Sequence, residues 1–128
     1  MSIELYMERD NRAVACGKFF PRLMGWSMAG DTDTSTDAIR ARTLWGLCRD
    51  AGMDIMVLSP DSYSVAHNNT ELWDLCEFID NPIRQDDFVA KLVAMKFDNA
   101  EGCRAWVLEM LAFLRLHAEM GHGYRIGI

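Results

Sequence analysis

At 128 residues, 50% hydrophobic and 25% charged, the chain has the size and composition of one globular domain, which excludes a disordered segment and a multidomain assembly. The formal net charge of −6 is unevenly spread: nine acids and one base, Arg84, fall between Asp50 and Asp87, so this middle third carries −8 and the remainder +2. Such a face repels phosphates, which argues against direct nucleic-acid or anionic-membrane binding and suits a partner with a basic surface.

Near the start, Ile3, Leu5 and Met7 alternate with Glu4 and Tyr6, the period of a half-buried strand. Glu4, Glu8 and Asp10 interrupt any apolar run in the first twelve residues, so no secretion signal is expected there. Arg12 to Phe20 reads as a returning strand with Asp10-Asn11 as the turn. Gly17 to Gly30 is apolar without periodicity and is broken by Pro21 and Gly25, which predicts a loop. A stretch holding Phe20, Arg22 and Trp26 either covers the sheet or meets a partner, since aromatic and arginine side chains are enriched at interfaces.

Asp31 to Asp37 resembles the opening of a calcium loop, but Thr36 and Arg42 stand where glycine and the closing glutamate are needed. The run is better read as the cap of a helix ending near Ala51, with Ala41, Leu44, Trp45 and Cys48 inward and Gly52 as its stop. Ile55 to Leu58 has the length and apolarity of an interior strand, closed by Pro60. Asn68 or Asn69 caps a helix from Thr70 to Ile79, with Leu72, Leu75, Cys76 and Ile79 inward. Pro82 separates it from a third helix, roughly Gln85 to Lys96. Asp98 or Asn99 opens the longest helix, to Met120, which is apolar on most sides and therefore central. Its most apolar stretch, Ala105 to Ala118, is 14 residues long and carries Glu109, Arg115 and His117, too short and too charged for a membrane span of about 20 apolar residues. Gly121 and Gly123 end this helix, and Tyr124 to Ile128 predicts a short final strand. The expected fold is a single α+β domain over residues 1–128. In it a small mixed β-sheet of three to four strands is packed by about four helices.

The cysteines, Cys16, Cys48, Cys76 and Cys103, lie 27 or more residues apart, which predicts reduced, buried thiols and a cytoplasmic setting rather than a zinc knuckle or redox pair. His117 and His122 straddle a helix end, a poor arrangement for chelation, and Gly121-His122-Gly123 follows a helix where a phosphate cradle would precede one. Neither a metal nor a cofactor is expected.

Two constellations remain. Ser59 to Asn69 gathers Asp61, Tyr63 and His67 beyond the expected interior strand, where ligands commonly bind; Asp61 could orient His67 for proton transfer. The plainer reading is an ordinary polar surface loop. On the following helix, periodicity sends Glu71, Asp74, Glu77 and Asp80 to the side opposite the apolar face, forming an acidic stripe. The favoured expectation is a non-enzymatic protein-binding module, of the inhibitor or immunity-factor kind, acting through that stripe and the Phe20, Arg22, Trp26 segment. A small enzyme or ligand-binding domain using the 59–69 loop is the alternative. A homo-oligomeric structural subunit joined through residues 17–30 is a third.

Overall fold

A computed structural model of the chain describes residues 4–10, 12–14 and 38–127. β1 (Glu4–Arg9) is the middle strand of a three-stranded antiparallel sheet, flanked by β2 (Arg12–Val14) and β3 (Gly123–Gly127). The period-2 pattern is realised: Leu5 pairs with Ile126 and Met7 with Tyr124, and all four side chains are buried on the face toward the helices. On the opposite face Arg125 Nε lies 2.8 Å from Glu8 Oε1. The hairpin turn passes through Asp10, whose φ of 52° is tolerated by a short polar side chain.

Four helices build the rest of the fold on the inner side of the sheet: α1 (Ala38–Asp50), α2 (Asn69–Ile79), α3 (Pro82–Ala94) and α4 (Ala100–Glu119). α1 lies on β1, α2 reaches β3, and α4 packs against both α2 and α3. Burying nine of its residues, Trp106, Met110, Phe113 and Leu114 among them, makes α4 the central helix its all-round apolar sequence predicts. Each large side chain so enclosed contributes roughly 1.5–3 kcal/mol through burial. Cys48, Cys76 and Cys103 are buried free thiols. Burial pushes Cys48 up to about 12 and Cys76 up to about 11, so both are protonated and inert at neutral pH.

The helix ends follow local chemistry closely. Asn68, Asn81 and Asn99 each accept a hydrogen bond from the backbone N–H three residues on. Pro82 does not separate α2 from a helix beginning at Gln85; it is the first residue of α3, where a missing N–H costs nothing. α3 also stops at Ala94 rather than Lys96. Lys96 takes a left-handed φ of 57° while its N–H reaches Val93 O and the N–H of Phe97 reaches Leu92 O. α4 closes in the same way, with Gly121 at φ 79° and the His122 N–H bonded to His117 O.

One expected element is missing. Ile55 to Leu58 is not an interior strand: Ile55 is buried, but Val57 and Leu58 are 41% and 45% exposed. The chain folds back within a few residues instead. Val65 N–H donates to Val57 O, Ser59 N–H donates to Tyr63 O, and Leu58 bridges Ser64. The run spends its backbone groups on its own return, and the sheet among the described residues is antiparallel throughout rather than mixed. A short apolar run carries no periodicity that would separate these outcomes. Among the described residues no helix is long and apolar enough to cross a membrane.

Candidate functional site

With no interior strand before it, the 59–69 loop is not a strand-end crevice. Asp61 is exposed and Tyr63 is 73% exposed, and no hydrogen bond among the described residues joins either to His67. His67 itself is buried, at 8% exposure. Its N–H donates to Tyr124 O (2.7 Å), its carbonyl accepts from the Tyr124 N–H (2.9 Å), and its ring stacks on the Tyr124 ring with centroids 4.4 Å apart. Gly123 permits this approach, because a Cβ there would run into the His67 carbonyl oxygen. The proposed trio of Asp61, Tyr63 and His67 is therefore not assembled.

The carboxylate that does orient His67 is Glu71, whose Oε2 lies 2.8 Å from Nδ1. Its other oxygen accepts from the Asn68 N–H (3.1 Å), and Asn68 Oδ1 accepts in turn from the Glu71 N–H (2.9 Å), a capping box. The Asn68 amide, and behind it the His67 hydrogen bond, hold the Glu71 carboxyl below the usual carboxylate range. The partnership was legible in principle: Asn68 with glutamate three residues on is a capping signature, and His67 to Glu71 is one helical turn. His67 Nε2 is enclosed and has no hydrogen-bond partner among the described residues.

His67 also lines an open cavity of about 350 Å3 between the β1–β2 turn, residues 66–69 and the α4–β3 turn. Arg9 and Asp10 stand at its rim, exposed and without an ion pair among the described residues, while Glu8 is neutralised by Arg125. Asn69 clips the cavity floor together, its Nδ2 donating to Ala118 O (2.9 Å) and His122 O (2.8 Å).

The two remaining histidines meet across the helix end that they straddle. His117 and His122 occupy the two positions that a left-handed helix stop brings together, and their Nδ1 atoms lie 2.8 Å apart. Burial, and then the neighbouring His122, push His117 down to about 4; burial and the Arg9 charge lower His122. Both rings are neutral at pH 7, one donating to the other. No cluster of three or more His, Cys, Asp or Glu that could hold a metal exists among the described residues.

The acidic stripe is divided by its neighbours. Glu71 belongs to the capping box, and Asp80 pairs with Arg115 of α4 at 2.9 Å. Elsewhere in the acidic third, Asp86 pairs with Arg104 (2.6 Å), Asp87 with Lys91 (3.2 Å) and Asp50 with Arg49 (3.4 Å). Asp54 accepts from Trp45 Nε1 and the Met56 N–H. Asp74 and Glu77, three residues apart on the outer face of α2, are exposed and carry no partner among the described residues. Asp61 is the other acid of this third in that condition. Phe20, Arg22 and Trp26, and with them the 17–30 segment expected to cover the sheet or join copies, lie outside the described residues. No family model, curated protein or solved structure matches the chain.

Proposed function

We propose that this chain is a non-enzymatic protein-binding module of the cytoplasm that engages a basic partner through Asp74 and Glu77, in the manner of an inhibitor or immunity-type factor. The observation that carries the reading is an uncompensated local cost. Asp74 and Glu77 repel each other at i,i+3 spacing, and Glu77 sits in the last turn of α2, where the helix dipole disfavours an anion and no base is present. Arg115 neutralises Asp80 at the same helix end, while no described residue pairs with Asp74 or Glu77. Local electrostatic rules tend to be broken where a surface serves something outside the fold. Solubility alone requires net charge but not this placement. Affinity capture from the native host, with wild type beside the Asp74→Lys, Glu77→Lys double variant, tests the reading. A basic protein enriched by wild type and lost with the variant supports it, and identical captured sets refute it.

A second reading has its own observation. The cavity beside His67 presents Arg9 and Asp10 at its rim, the arrangement of a site for a small polar ligand rather than of an assembled catalytic group. Binding abolished by Arg9→Glu and indifferent to Asp74→Lys would favour it over the first.

A further inference from the structure

Away from both surfaces, α1 and α3 leave a groove of about 470 Å3 between them, within the range of roughly 300–1,000 Å3 typical of small-molecule sites. Leu47, Ala94 and Met95 give it an apolar lining, and Arg42, Arg49 and Lys91 supply three cations on its walls against the single carboxylate of Asp50. Arg49 and Lys91 share their charge with Asp50 and Asp87 in half-exposed pairs, which are weakly held and easily exchanged for another anion. Arg42 is exposed and has no ion pair among the described residues. A gathering of three cations stands out on a chain whose net charge is −6.

Gly46 adds an independent sign. It lies in the interior of α1, where glycine weakens a helix, and it lines the groove. No left-handed φ calls for it, and no described atom lies within 4 Å of where its Cβ would stand. The one evident effect of its missing side chain is to keep the groove open. Met95, 62% exposed at the groove's end, is the kind of flexible thioether that adapts to an apolar guest.

From these features we infer that the groove binds a monomeric amphiphilic anion, an alkyl carboxylate, with its chain along Leu47, Ala94 and Met95 and its head group on Arg42. Charge complementarity selects the anion, and the apolar floor selects the chain. Calorimetric titration of the full chain with dodecanoate below its micellar concentration tests this, with dodecyltrimethylammonium as the cationic counterpart and short-chain acetate as the headgroup alone. Saturable 1:1 binding of dodecanoate is expected, with affinity at least about tenfold below it for both comparators, a difference a charge-assisted contact and a buried chain each supply. Gly46→Leu should fill the groove and Arg42→Glu should repel the head group, each weakening binding about tenfold or more. Arg42 is exposed, so its variant keeps the test decisive should Gly46→Leu fail to fold. Equal affinity for the cationic amphiphile, unchanged affinity in Arg42→Glu, or no saturable heat would overturn the inference. So would binding to anionic vesicles without binding of the monomer.

Discussion

Replacing Glu77 by lysine should make the protein more stable, an outcome opposite to that expected of a residue the fold uses. Glu77 is exposed, lies three residues after Asp74 and occupies the final turn of α2. Reversal turns an i,i+3 repulsion of a few tenths of a kcal/mol into an attraction of similar size. It also turns an unfavourable helix-end charge into a favourable one, worth about 0.3–1 kcal/mol at an exposed site. Together these sum to about 1 kcal/mol, or a Tm rise of roughly 3–5 °C for a domain of this length. Urea denaturation followed by circular dichroism measures it, with Glu77→Gln giving about half the gain. The difference should shrink in 1 M salt, where the screening length falls to about 3 Å. A lower midpoint for Glu77→Lys would refute the reasoning, because it would show that Glu77 makes a favourable contact inside the fold.

Three further outcomes follow from the geometry. His67→Ala should cost about 2–3 kcal/mol, since it removes a buried ring stacked on Tyr124 and the hydrogen bond to Glu71; a loss under about 0.5 kcal/mol would mean that His67 is a surface residue after all. Stability should fall as pH drops from about 6.5 to about 4: His117 is depressed in the folded state, so the unfolded chain takes up the proton first, at a cost on the order of 3 kcal/mol. Denaturation at pH 7, 5.5 and 4 checks this, and a flat profile would contradict it. Lys96→Gly should raise stability by about 0.5–1 kcal/mol by relieving the left-handed conformation at the end of α3, and destabilisation would show that the lysine side chain holds the turn.

What could be read from the sequence was whatever is specified locally. The alternation of Leu5 and Met7, the asparagine caps Asn68 and Asn99 and the apolar breadth of α4 each follow from a few neighbouring residues, and each is realised, whereas Asn81 caps a helix that begins at Pro82, three residues ahead of the expected start at Gln85. Failures came where the outcome depends on a remote partner. Ile55 to Leu58 looks like a strand until one asks which edge it pairs with; β2 and β3 occupy both sides of β1. Proximity along the loop suggests Asp61 as the partner of His67, whereas the histidine faces the first turn of α2 and takes Glu71. Helix geometry puts Asp74, Glu77 and Asp80 on the exposed side of α2, but Arg115, 35 residues beyond Asp80, neutralises one end of the stripe. The His117–His122 contact depends on a helix stop whose geometry brings positions five residues apart together.

The most direct test of the central claim is the association rate of the captured partner with wild type and with the Asp74→Lys, Glu77→Lys variant, each at about 20 and 300 mM salt. If the pair steers a basic partner, wild type should bind fast at low salt and slow steeply as salt rises, while the variant should bind about tenfold or more slowly and show little salt dependence. Equal rates and equal salt slopes for the two proteins would contradict the account and leave Asp74 and Glu77 as solvated surface.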